Sequence, residues 1–279
     1  MAEPIMRDTN TKQLFAYVSD DRIDFLSCGS SASGDTFTFY PHAIKPGESI
    51  MVNLREAMEA VPDTRNKTVQ LRILVSGPTT LVPIADFQEE HVDDLFLYNF
   101  PDKRGCRVFY DTLPSIDAML LFSMPDALYR IIRSIAPQSY YVSASTPLLK
   151  HFSEKTAAGA GKRIFAYFEN RYTDISVFES SRLLLSNKFE VPAAEDAAYY
   201  ILSCMGRTGT DNENDAVFLS GSAEYIETLK TLLERYVKNV FRIFPQAEFH
   251  RHPVTANKEI PYPLVLDALN SKAISRLHP

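Results

Sequence analysis

The sequence predicts an α/β protein built twice over: two βββαβαβα halves, with extra material inserted in the first. Three observations carry this. The stretch FAYFENRYTDISVF, Phe165–Phe178, repeats a looser copy, FAYVSDDRIDFLS, Phe15–Ser27, at a constant offset of 150 residues, so that Asp174 falls on Asp24. Strand-like alternation and helix-like spacing of apolar residues then succeed one another in the same order in both halves. Finally, 279 residues of ordinary globular composition suffice for one large domain or two of common size, without a metal or disulfide to fold them.

The elements follow in order. Leu14–Ser19 and Ile23–Cys28 read as strands joined by a tight Asp20-Asp21-Arg22 turn. Thr36–Tyr40 alternates as a third strand. Ile50, Leu54, Met58 and Val61 then fall at helical spacing over Glu48–Val61. Val69–Ser76 is rich in strand formers. Asp86 suits the cap of a helix whose inner face carries Val92, Leu95, Phe96 and Asn99. Arg107–Asp111 and Ala118–Phe122 read as strands. Pro125 suits the first residue of a helix bearing Leu128, Ile131, Ile132 and Ile135. Tyr140–Ser143 is a strand, and a helix starts at Pro147.

Ser153–Arg163, SEKTAAGAGKR, is small and Gly-rich and is the expected linker, dividing the chain into halves 1–155 and 156–279, with the insertion near 78–111. The second half opens with the repeated hairpin, then Leu183–Val191 as its third strand and a helix from Pro192. Ala216–Ser220 is a strand ending at Gly221. Ala223–Val240 reads as one long amphipathic helix with Ile226, Leu229, Leu233, Tyr236, Val237 and Val240 on one face and Ser222 as its N-cap. A short strand is expected near Phe241–Phe244, and a helix over Tyr262–Ser275.

Composition excludes several classes. A net charge of −6 opposes a nucleic-acid partner, which needs a concentrated Lys/Arg excess. Cys28, Cys106 and Cys204 are too few and too scattered for a disulfide framework or zinc ribbon, so a reducing compartment is expected. No run reaches the roughly 20 apolar residues of an integral membrane segment. MAEPIMRDTNTKQ has no apolar core of signal-peptide type, and a cytoplasmic location is expected.

The motif candidates are mostly bland. Gly29 and Gly34 have P-loop spacing, but Asp35 stands where lysine is required and strand-like TFTFY follows, so a flexible hairpin loop is expected. His250-Arg251-His252 lacks further metal ligands and reads as an exposed loop. EEHVDD, Glu89–Asp94, reads as a solvated helix face. Neither Gly-x-Ser-x-Gly nor His-Glu-x-x-His occurs, and no catalytic residue or metal ligand is assigned. The pairs Tyr140-Tyr141 and Tyr199-Tyr200 are expected to pack in the core or a cleft.

Two hairpin-led βββαβαβα halves resemble the actin, Hsp70 and sugar-kinase superfamily, a ribonuclease H-like duplication, and an insertion in the first half resembles its pilus-assembly and cell-division members. The local residues agree. Thr173-Asp174-Ile175 matches the Thr-Asp that follows the second hairpin's Asp-x-Gly in those members, and VFLSGSAEY, Val217–Tyr225, matches the strand-glycine-helix signature with the single glycine Gly221. The whole chain resembles an uncharacterised bacterial family with an actin-like ATPase fold.

That resemblance implies an aspartate on each hairpin to organise hydrated magnesium, and glycines that let backbone N–H groups approach phosphate. Here Tyr17 and Ser19 stand on the first hairpin, and Tyr167 and Glu169 on the second. A Glu169 carboxylate about 4 Å from a phosphate would repel it by roughly 4 kcal/mol per charge pair at an effective dielectric near 20. The residues left to hold a nucleotide are Asp20, Asp21, Asn170, Thr173, Asp174, Gly221 and Ser222. The expectation is a non-enzymatic scaffold or protein-binding module with an unidentified protein partner and no cofactor. The alternative is an ATP-binding or ATP-hydrolysing switch that uses magnesium.

Overall fold

The computed structural model describes residues 13–31, 34–65, 70–157, 159 and 161–277. Residues 1–12 of the N-terminal stretch weighed above as a signal peptide, and positions 158 and 160 of the expected linker, lie outside them.

The first half begins with β1 (Gln13–Val18), β2 (Ile23–Ser31) and β3 (Gly34–Tyr40), followed by α1 (Ile50–Glu59) and β4 (Leu71–Val75). Next come β5 (Thr79–Pro83), α2 (Val92–Asn99), β6 (Cys106–Leu113) and β7 (Ala118–Pro125). The half closes with α3 (Asp126–Ile135), β8 (Tyr140–Ser143) and α4 (Ser145–Thr156). The second half runs β9 (Lys162–Glu169), β10 (Tyr172–Glu179), β11 (Arg182–Glu190), α5 (Ala194–Thr208), β12 (Ala216–Ser222), α6 (Ile226–Leu233), β13 (Asn239–Arg242), α7 (Pro245–Glu248) and α8 (Tyr262–Leu277).

The strand orders are β3-β2-β1-β4-β8 and β11-β10-β9-β12-β13, the same path traced twice. The repeat extends to register: Tyr17 pairs with Asp24 across β1 and β2, and Tyr167 with Asp174 across β9 and β10. A third sheet, β5-β7-β6, takes in residues 79–125 and therefore continues past residue 111.

The last helix of each half binds the other half. Phe152 of α4 stacks on Phe165 of β9 with centroids 4.2 Å apart, and the stack continues through Phe218 to Phe241 at the sheet edge. Leu264, Val265 and Ala268 of α8 join Phe15, Tyr17 and Leu26 in one buried cluster. Arg72 of β4 fixes α8 by donating to both oxygens of Asp267, at 2.5 and 2.9 Å. Asp111, the carboxylate of the inserted sheet, accepts from the Ser143 amide at 2.8 Å and from Thr146 Oγ1 at 2.5 Å, anchoring that sheet to the start of α4. These crossings bury side chains of each half against the other.

Several expectations are corrected. The helix expected over Ala223–Val240 spans only Ile226–Leu233, and Val240 lies in β13, paired with Val217. Its apolar spacing is partly real, since Leu233 and Val237 are buried, but Tyr236, expected on the same face, is exposed to solvent. But β12 lacks a partner on its outer side until the chain turns back, and sheet pairing overrides local helical preference. The following strand accordingly sits at Asn239–Arg242 rather than 241–244. Ser222 caps nothing: it ends β12, and the helix starts four residues on, behind Tyr225. Asp86 closes a short 3-10 turn, and of its expected helix only Val92–Asn99 forms, with Val92 and Phe96 buried. The P-loop-like stretch is ladder rather than loop, with Gly29 opposite Thr36; its residues 32 and 33 lie outside the described set. Each tyrosine pair is divided. Tyr141 stacks on Phe109 and Tyr200 on Phe189, while Tyr140 and Tyr199 face solvent, as alternation along a strand and rotation along a helix require.

Candidate functional site

The turns of the two repeated hairpins face each other between the halves. In the first turn the Ser19 amide donates to the Arg22 carbonyl at 3.0 Å, and Ser19 Oγ donates to Asp21 Oδ1 at 2.6 Å. In the second, Asn170 takes φ +53°, the left-handed conformation that an Asn tolerates in a tight turn.

Glu169 stands at the centre. Its Oε2 accepts from the Tyr17 phenol at 2.5 Å and from Ser76 Oγ at 3.1 Å. Tyr17 lies on β1 and Ser76 follows β4, so one carboxylate of the second half joins two elements of the first. Burial raises the Glu169 pKa, and the Tyr17 bond and the Lys188 charge oppose that rise. Burial, followed by the Glu169 charge, pushes the Tyr17 phenol well up, so it remains a donor. Tyr167 is shifted upward for the same two reasons.

Two cavities flank this carboxylate, and Glu169 lines both. The larger, about 730 Å³, lies beside the hairpin turns, with Gly77, Lys103 of the inserted segment and Lys188 of β11 in its walls. The smaller, about 220 Å³, lies at the ends of β12 and β13 and the start of α8.

The expected nucleotide residues are divided by this arrangement. Asp20, Asp21 and Asn170 line the larger cavity, and Gly221 and Ser222 the smaller. Thr173 and Asp174 line neither. Thr173 is fully buried beside Phe168 and Ile175, on the face of β10 that packs against α5, because successive side chains alternate across a strand. Asp174 points to the other face, where Lys188 Nζ lies 3.6 Å away; burial raises its pKa and Lys188 lowers it. Asp24, its repeat partner, is buried, pairs with Arg22 and accepts the His42 amide at 3.1 Å. Both aspartates of the repeat therefore serve the hairpins.

Gly221 is required by geometry. Its φ is +91°, and an added Cβ would fall against the Phe168 backbone of the adjoining strand. Among the described residues no cluster of His, Cys, Asp or Glu is suited to a metal ion, and His252 Nδ1 accepts the Val254 amide instead. No helix among them is long and apolar enough to cross a membrane.

Sequence reasoning singled out Tyr17 and Glu169 as departures but not as partners of each other, and it missed Ser76 and Arg22. A signal for Ser76 existed: it follows β4 at the position that Ser222 takes at the end of β12. Tyr17→Phe removes the shorter of two bonds to a half-buried carboxylate. It is expected to cost about 1.5–3 kcal/mol, the range for hydrogen bonds to charged groups, read as a lower midpoint in urea at unchanged slope.

Comparison with solved structures matches this architecture. The crystal structure of a Bacteroides thetaiotaomicron VPI-5482 protein with an actin-like ATPase fold and unknown function superposes with a TM-score of 0.78, at 24% identity, over 88% of this chain and 95% of that one. A PilM-PilN type IV pilus biogenesis complex superposes with a TM-score of 0.52, at 11% identity, over 92% of this chain and 96% of that one. No curated protein matches. The chain thus has an actin-like ATPase fold. A family model, "Protein of unknown function (DUF3822)", matches residues 5–240, and the chain belongs to that family.

Proposed function

We propose that the protein is a non-enzymatic, protein-binding scaffold whose two halves are held closed by its own side chains rather than by nucleotide. The carrying observation is the Glu169 carboxylate, bonded across the cleft to Tyr17 and Ser76. The resemblance to the actin-like superfamily implies a phosphate approached by backbone N–H groups at the hairpins, with nucleotide closing the cleft. Here a carboxylate occupies that region with its own donors, and a phosphate would meet both its charge and the loss of those bonds. The division of the expected nucleotide residues between two cavities supports the same reading. A fixed inter-half angle then offers a partner protein one rigid surface, without a cofactor. The pilus complex, whose solved form pairs PilM with PilN, is consistent with a protein partner for such a fold. Three free cysteines are consistent with a reducing, cytoplasmic setting.

Calorimetric titration with ATP and with ADP, each with magnesium, tests this. The expected result is no heat of binding at millimolar nucleotide. Binding at micromolar nucleotide, or steady ATP turnover by the pure protein, would replace the scaffold with the switch.

A further inference from the structure

The inserted sheet ends on a free edge. β6 pairs only with β7, and the order β5-β7-β6 leaves its other side without a strand. In an antiparallel pair, alternate residues turn their N–H and C=O away from the partner strand. Two of the four residues Arg107–Tyr110 therefore aim these groups outward, and no backbone of another described element bonds to them. Edges are commonly guarded by a proline or a bulge. β6 has neither: its register with β7 is unbroken from Cys106 to Leu113, and it contains no proline.

A cavity of about 490 Å³ lies along this edge, and the two faces of β6 give it unlike walls. On one face Val108 packs with Val92 and Phe96 of α2. The wall there is acidic, with Glu89 and Glu90 in the turn before α2 and Asp93 in its first turn. Glu89 accepts from the Tyr110 phenol at 2.9 Å, whereas Glu90 and Asp93 have no ion-pair partner among the described residues. On the other face Phe109 stacks on Tyr141 of β8, centroids 4.9 Å apart, and the Arg107 guanidinium lies 4.3 Å over the Tyr129 ring of α3.

We propose that this edge docks a partner protein, which adds an extended segment to β6 as a fourth strand. Side chains of an added strand alternate between the two faces. Basic ones fit the α2 side, opposite Glu90 and Asp93, and apolar ones fit the rings of Tyr129 and Tyr141. A slip of one residue would turn the basic side chains towards Arg107 and Arg133, so charge fixes the register. Charge also disfavours a second copy of this chain. Antiparallel pairing of two β6 edges keeps like faces together and would set the two acidic walls side by side. The inference deepens the protein-binding reading and rests on it, adding a surface and the chemistry of the segment it takes.

The probe is a blocked eight-residue peptide of alternating lysine and valine, fluorescently labelled and titrated into the full chain by anisotropy. Saturable binding is expected. It should weaken at least about tenfold when glutamate replaces lysine, and equally when every peptide nitrogen is methylated, which removes the main-chain donors. Glu90→Gln with Asp93→Asn should also weaken it about tenfold, at an unchanged urea midpoint because both residues are exposed. Hydrogen exchange over 106–111 should slow about tenfold with peptide bound, while β9 and β12 stay unchanged. No saturation at millimolar peptide, equal binding of the glutamate or methylated peptide, or protection confined to other strands would overturn the proposal. A concentration-dependent dimer that protects 106–111 without peptide would also overturn it, and would give the edge to a second copy. The titration contains no nucleotide, so its failure is distinct from ATP binding, which tests the scaffold itself.

Discussion

Gly221→Ala is expected to destabilise the protein by at least about 3 kcal/mol, from left-handed strain and backbone overlap together. The new Cβ would lie 2.9 Å from Phe168 N and from Phe168 C, and closer still to the Phe168 carbonyl oxygen. All three belong to the backbone of β9, which pairs with β12 at this position, so no side-chain rotation relieves the overlap. The φ of +91° adds strain for any residue with a side chain. A loss of this size is a large fraction of the 5–15 kcal/mol that stabilises a typical domain, and low soluble yield is expected with it. Gly47→Ala is the control. Gly47 has a similar φ of +85°, but an added Cβ there meets nothing within 4 Å, so only the backbone term remains. Midpoints of urea unfolding for the two variants separate the terms. Equal losses would mean that the Gly221 effect is conformational alone, and that the approach of β9 to β12 relaxes freely.

The second large effect is acid sensitivity centred on Glu248. Its carboxylate is partly buried, which by itself would raise its pKa. Hydrogen bonds from His151, Lys155 and Tyr262 outweigh that and hold it at about 2, against an ordinary value of 4.5. A group whose folded pKa lies below its unfolded one stabilises the fold fully above the unfolded value. That contribution is lost as pH falls through about 4.5 towards 2. The shift corresponds to about 3 kcal/mol at neutral pH, at 1.36 kcal/mol per unit, and solvent screening at this partly exposed carboxylate brings the net to about 1–2 kcal/mol. Glu248→Gln should therefore be less stable than wild type by roughly that amount at pH 7, and the two should converge as pH approaches 2. Unfolding midpoints from pH 7 down to pH 2.5 give the comparison. A constant gap across that range would remove Glu248 as the source of the acid sensitivity. Tyr262 acts as a donor throughout, since burial and the adjacent carboxylate hold its phenol far above the usual range.

Repetition made the fold legible. Phe15-Ala16-Tyr17 and Phe165-Ala166-Tyr167 lie at one offset, and a hairpin is a local structure whose register follows from its turn. The pairing of Tyr17 with Asp24, and of Tyr167 with Asp174, was thus implicit in sequence spacing. The segment around Ala223–Val240 shows where such reading stops. Its apolar period fits a helix throughout, but Val240 is drawn into β13 by pairing with Val217, and no local signal records that demand. Thr173 was misplaced for a different reason. Alternation with Asp174 put it on the opposite face of β10, a distinction that motif matching ignores and strand geometry contains.

The sequence by itself determined the duplication, the order of elements and a tyrosine at the same place on each hairpin, Tyr17 and Tyr167, because each is a matter of residue type at a fixed spacing. Tertiary structure alone decided what lies beside those tyrosines. Tyr17 and Glu169 are 152 positions apart, and Ser76 and Glu169 are 93 apart. His151 and Glu248 are 97 apart. Contacts of that separation arise only when α4 and α8 cross between the halves and bring the two hairpins face to face. Hydrogen bonding depends on distance in space, and sequence periodicity reports only on neighbours along the chain.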